Sequence, residues 1–183
     1  MNREGVVTRM RLVAVFLALS VQSPSSPRSA AAPCDGPEYR AFDFWLGEWD
    51  VHRPDGSLAG TNRIESEYGG CVLHERYASA SASGSGYRGE SLNGYDPGRK
   101  VWHQTWVDNS GLLLLLEGGL EDGKMVLRGT TLAQDGTATR HRITWTPNVA
   151  DGTVRQLWES SEGAEGSAWT TAFDGLYRRK AEP

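Results

Sequence analysis

The chain has 183 residues, 38% of them hydrophobic, and a formal net charge of -4. That length suits one domain with one core. The acidic balance argues against nucleic acid or an anionic membrane surface as the main partner, because both call for a basic face.

In chain order, the first segment differs from the rest. Arg3, Arg9 and Arg11 precede the apolar run LVAVFLALSV (Leu12 to Val21), and a Ser/Pro stretch leads to SAAAP. This pattern predicts a secretory signal peptide over residues 1–32, cut near Ala30 to Ala32, and an exported domain over 33–183, periplasmic or extracellular. Removing residues 1–31 takes away four arginines and Glu4, which moves the charge from -4 by three to -7. Nothing after Val21 has the length of apolar chain that a membrane-spanning helix needs, and the sequence leaves the oligomeric state open. Cys34 follows Pro33 where a lipoprotein would carry a small residue, which disfavours a lipid anchor. Cys34 and Cys71 are the two cysteines, and in an oxidising compartment they are expected to pair, for roughly 3 kcal/mol by loop entropy.

PEYRAFDFWL (Pro37 to Leu46) is the one helical stretch expected. Past it, short β-compatible runs alternate with turn clusters such as RPDGS, YDPGR, LEDGK, AQDGT and NVADGT. Their Asp-Gly and Pro-Gly steps are hairpin signals. They divide the chain into ten strands: 47–53, 57–68, 71–79, 87–95, 100–107, 111–120, 124–132, 137–146, 153–160 and 168–179. The leucine run in the sixth, GLLLLLEGGL, reads as a strand buried on both faces, and ASASASGSG (Ala78 to Gly86) reads as a loop at one mouth. So many consecutive hairpins predict an all-β fold, an up-and-down antiparallel β-barrel of about ten strands with a short N-terminal helix, since closure removes exposed edges. A two-sheet sandwich is the alternative.

The stretch FDFWLGEWDV (Phe42 to Val51) carries Gly47-Glu48-Trp49 at the entry to the first strand. It resembles the G-x-W signature of the calycins, the superfamily of lipocalins and fatty-acid-binding proteins. The resemblance implies that Trp49 closes one end of the barrel under an arginine of the last strand, Arg178 or Arg179. Phe42, Phe44 and Trp45 would complete that floor, with Gly47 letting the chain pass from helix to strand. Together with GCVLHERY, LNGYDPGRKVWHQTWVD, RITWTPN, VRQLWESS and FDGLYRRK, the opening also resembles a bacterial calycin-like family of unknown function. The family carries no reaction or ligand. The superfamily implies small-molecule binding in the barrel.

Strand alternation nominates the lining. In VWHQTWV, Trp102, Gln104 and Trp106 share one face; in TVRQLWES, Val154, Gln156 and Trp158 do. The repeated Gln-x-Trp pattern is read as inward. Neighbouring strands would add Asn93 and Tyr95, Arg142 and Thr144, and Arg63 and Glu65, a slip of one residue reversing any set. Such a lining suits a ligand that is partly aromatic and partly polar.

His52, His74, His103 and His141 lack metal-ligand spacing, so neither a metal nor another cofactor is expected; a haem held by His103 or His141 is the remote exception, with His103 read as outward. There is no G-x-S-x-G elbow and no evident carboxylate pair. Two other readings stay open: a barrel enzyme of isomerase or cyclase type, and a filled barrel with a structural or interaction role.

Overall fold

A computed structural model describes residue 1 and residues 33–80, 86–163 and 166–180. Residues 2–32 of the expected signal peptide lie outside the described residues, as do positions 81–85 of the expected mouth loop. The chain divides into Met1–Ala30 and Ala31–Pro183, and the second unit is described below.

Ten antiparallel strands form a closed barrel: β1 (Gly47–His52), β2 (Leu58–Glu67), β3 (Val72–Ser79), β4 (Arg88–Asp96), β5 (Val101–Asp108), β6 (Leu113–Glu121), β7 (Lys124–Leu132), β8 (Ala138–Asn148), β9 (Thr153–Glu162) and β10 (Thr170–Arg179). Each pairs with its sequence neighbours, and β1 with β10 completes the ring, Trp49 opposite Arg179 and Val51 opposite Tyr177. The up-and-down barrel read from the turn signals is the observed fold.

Two details differ from the sequence reading. The expected helix is two 3-10 turns, Pro37–Arg40 and Asp43–Trp45, split at Ala41 and Phe42. Four- and three-residue pieces are the ordinary length for this tight helix, and Phe42 and Trp45 are fully buried. The leucine strand is not buried on both sides. Leu114 and Leu116 face the core at 1% exposure, whereas Leu113 and Leu115 are 55% and 56% exposed. A single-layer barrel buries one face of each strand and has no second layer to cover the other.

The arm from Cys34 to Leu46 closes one end of the barrel. A Cys34–Cys71 disulfide, with Cα atoms 5.1 Å apart, ties it to the residue before β3. The plug is aromatic. The Phe42 ring stacks on Trp45 at 4.9 Å and meets Trp102 and Trp145 edge-on at 5.7 and 5.1 Å. Trp49 donates its indole N–H to the Trp45 carbonyl oxygen at 2.9 Å, and Trp102 donates to the Glu38 carbonyl oxygen at 3.2 Å.

Of the two candidate arginines, Arg179 covers Trp49, its guanidinium carbon 4.0 Å from the ring centroid. Arg179 also donates to the Leu46 carbonyl oxygen. Gly47 is required beneath it: φ is +127°, and a Cβ there would lie 1.9 Å from an Arg179 nitrogen. Glycine alone tolerates both constraints. Arg179→Ala is expected to cost about 1 kcal/mol through the lost cation–π contact and hydrogen bond, and urea unfolding of the pure protein would measure it.

Candidate functional site

Beyond the plug the barrel is not filled. A cavity of about 210 Å³ lies in its outer half, lined by Glu75, Tyr77, Tyr87, Gln104, Trp106, Leu114, Ile143, Gln156, Trp158, Ala172, Phe173 and Tyr177. Four of the sequence-nominated residues, Gln104, Trp106, Gln156 and Trp158, meet there. They come from β5 and β9, on opposite sides of the ring, so the shared Trp/Gln alternation places two indoles and two amides around one space.

The other nominated residues go elsewhere. Trp102 and Tyr95 share the inward face but sit at the plugged end, where Trp102 packs on Phe42 and Tyr95 meets Tyr39 edge-on at 5.2 Å. Asn93 is on the inward face of β4 and fully buried, but it is not among the residues lining the cavity. It donates to the Leu73 carbonyl oxygen at 3.0 Å and to Ser91 Oγ at 2.9 Å.

Arg142 is a correction. On β8 the inward parity belongs to His141, Ile143 and Trp145, so Arg142 and Thr144 face outward. Arg142 pairs with Glu159 at 2.8 Å and lies 4.6 Å above the Trp169 ring. Arg63 and Glu65 are likewise outside, paired with each other at 2.7 Å, while Asn62 and Ile64 take the interior of β2. The physical reason is shared: burying Ile and Trp releases free energy that burying an arginine would cost.

His141 is the inward histidine. Its Nδ1 accepts the Trp158 indole N–H at 3.1 Å, which puts the ring proton on Nε2, 2.9 Å from Thr131 Oγ1. Burial lowers its pKa. His103 faces outward near Glu117, as its parity implied. Among the described residues no group of three or more His, Cys, Asp or Glu side chains is arranged to hold a metal ion.

Besides the phenols of Tyr77, Tyr87 and Tyr177, the sequence reading missed a charged residue of the cavity, Glu75. It sits on the inward face of β3 between Leu73 and Tyr77, buried at the inner end of the cavity. Asn62 donates to Oε1 at 2.7 Å and Ser91 to Oε2 at 2.6 Å. Burial pushes its pKa up to about 7 against these two hydrogen bonds and the weaker pull of His74. Its parity was readable: in VLHERYAS, the positions shared by Leu73 and Tyr77 carry Glu75 inward with them.

The surrounding hydrogen bonds decide what the cavity offers. Ser91 Oγ receives Asn93 and Gln104 amide N–H groups, so its own proton goes to Glu75. Gln104 spends its amide N–H groups on Ser91 Oγ at 3.3 Å and Asn93 Oδ1 at 2.9 Å. Among the described residues no donor reaches its carbonyl oxygen. Tyr177 donates to Gln156 Oε1 and accepts from Asn62 at 3.1 Å. Burial raises its pKa well above the usual phenol value.

At the outer end, Asp108 accepts Trp106 Nε1 at 3.0 Å, the Tyr87 hydroxyl at 2.7 Å and two bonds from Ser110. Burial would raise the Asp108 carboxyl, but these donors outweigh it and hold the pKa at about 2. The carboxylate therefore fixes Trp106 as a wall. Gly89 makes room for that ring, since a Cβ at this position would lie 2.1 Å from it.

No protein-family description and no curated protein matches the chain by sequence.

Proposed function

We propose that this protein is an exported barrel that binds a small molecule, partly aromatic and partly polar, by shape and polar matching without chemistry. The observation that carries the proposal is the cavity itself, with the Trp106 and Trp158 indoles at its sides and Glu75, Gln104, Gln156 and Tyr177 at its inner end. An apolar enclosure with a few convergent polar groups is the usual composition of a small-molecule site. For scale, a dry apolar cavity of ~150 Å³ accepts benzene, so about 210 Å³ suits a ligand of one or two rings.

The calycin-like resemblance of FDFWLGEWDV supports the same reading through the superfamily's habit of holding ligands inside the barrel. The disulfide suits an oxidising compartment, and among the described residues no helix is long and apolar enough to cross a membrane.

Native mass spectrometry of the protein purified from its own cell envelope tests the proposal. A reproducible added mass of one small molecule is the expected result. Trp106→Ala should reduce its occupancy at least tenfold while circular dichroism remains that of the parent barrel, because the substitution removes one wall. A bare mass together with no occupancy by added aromatic probes would favour the filled-barrel role.

A further inference from the structure

We propose, resting on the ligand-binding reading above, that the cavity selects an organic cation, a small aromatic amine whose ammonium group is seated on the Glu75 carboxylate.

The hydrogen-bond inventory carries the argument. Gln104 has both amide hydrogens committed to the barrel wall, so it turns an acceptor toward the cavity. The indole N–H groups of Trp106 and Trp158 are committed to Asp108 and His141, leaving these rings to present their π-faces. The Tyr177 proton is held by Gln156 and the Ser91 proton by Glu75. What remains is electron-rich: a carboxyl, an amide oxygen and aromatic faces, with the Gln156 amide nitrogen as the counterweight. An ammonium group donates three hydrogen bonds and accepts none, and it is attracted to indole and phenol faces.

Charge points the same way. No Arg, Lys or His is among the described residues lining the cavity, so a carboxylate or phosphate ligand would be buried without a counter-ion at prohibitive cost. Glu75 lacks a cationic partner inside the barrel for the same reason. The groups packed around it are Tyr77 on β3, Asn62 on β2, Ser91 on β4, and Tyr177 and Gln156 from across the ring. Of these, the phenols of Tyr77 and Tyr177 can ionise, and burial raises both. The charged side chains of the adjoining strands, His74, Arg76, Arg63, Glu65 and Glu90, are on the outer surface. With a carboxyl that titrates near neutrality, the empty site carries a proton that an arriving cation displaces. Binding should therefore release close to one proton at pH 6 and strengthen as pH rises.

The test uses the mature protein with its disulfide intact. Isothermal titration calorimetry compares phenethylamine with propylbenzene, its neutral counterpart of equal heavy-atom count, and with phenylacetate. Titrations at pH 6 and pH 8, each in two buffers of different ionisation enthalpy, count the protons. Phenethylamine should bind at least tenfold more tightly than either competitor at pH 8 and lose about tenfold at pH 6, following the ionised fraction of a group near pH 7. Glu75→Gln, with its fold checked by circular dichroism, should abolish the preference for the amine and its pH dependence. Propylbenzene or phenylacetate binding as tightly as the amine at pH 8, or amine affinity flat between the two pH values, would overturn the cation assignment and leave the cavity reading standing. No binding of any probe, with a bare mass from the native envelope, would remove both.

Discussion

Trp45→Ala is expected to lower the unfolding free energy by about 3–5 kcal/mol, the range for deleting a large aromatic side chain from a core. Trp45 is fully buried. It stacks on Phe42 and lies 5.3 Å from Trp145 and 6.3 Å from Tyr177 by ring centroids. The cavity left behind cannot readily collapse, because Phe42, Trp145 and Tyr177 are held on separate elements. Trp45→Phe should behave differently. The Trp45 indole N–H is buried without an acceptor among the described residues, so phenylalanine removes an unsatisfied donor while keeping most of the ring contact. Its cost should be under about 1.5 kcal/mol. Guanidinium unfolding of both variants checks the contrast, and equal losses would mean that packing area alone governs the plug.

Glu75→Gln is expected to stabilise the empty protein at pH 8 and to cost up to about 1 kcal/mol at pH 4.5. The carboxyl has an ordinary value of 4.5 and is raised to about 7 in the barrel. Across that interval the unfolded chain has given up the proton while the folded one keeps it. The folded state thus binds more protons, and stability falls as pH rises from about 4.5 to about 7, then levels off. The raised pKa corresponds to about 3 kcal/mol at most. Glutamine removes the charge but has one acceptor oxygen, so it keeps the bond from either Asn62 or Ser91 and loses the other, at a cost of about 1 kcal/mol. A gain of about 2 kcal/mol at pH 8, or a melting temperature higher by about 4–8 °C, is the expected result for a domain of this size. Thermal unfolding at pH 4.5, 6 and 8 measures it. Parallel pH curves for parent and variant would show that Glu75 does not carry this dependence.

The fold was legible because its signals are local. Each Asp-Gly or Pro-Gly cluster marks a turn, and ten strands separated by short turns have few ways to avoid exposed edges other than closing. The Gln-x-Trp alternation on β5 and β9 was legible for the same reason, since parity within a strand is fixed by the pleat. The phase of a mixed strand was harder. RITW offers Arg142 and Thr144 on one face and Ile143 and Trp145 on the other, and the inward face follows only when burial of the apolar pair is weighed first. Position along the barrel was not legible at all. Trp102 and Trp106 share a face, yet one packs into the plug and the other lines the cavity, because the arm from Cys34 to Leu46 covers a single end. Glu75 was passed over because an inward carboxyl contradicts the usual partition of charge to the surface. The orientation of the Trp106 and Trp158 N–H groups depends on the local geometry of Asp108 and on His141, 17 residues from Trp158, which spacing alone does not encode.

Closure of the ring also dictates when this protein can begin to exist. The seam joins Gly47–His52 to Thr170–Arg179, nearly the greatest chain separation available to the domain. A growing polypeptide can pair its early hairpins as they emerge, but the Trp49 site stays uncovered until Arg179 has been made. The final registration is thus a whole-chain event, slow by the measure of contact order. Until then β1 lacks the partner that will complete it, so a chain still short of closure presents an open edge.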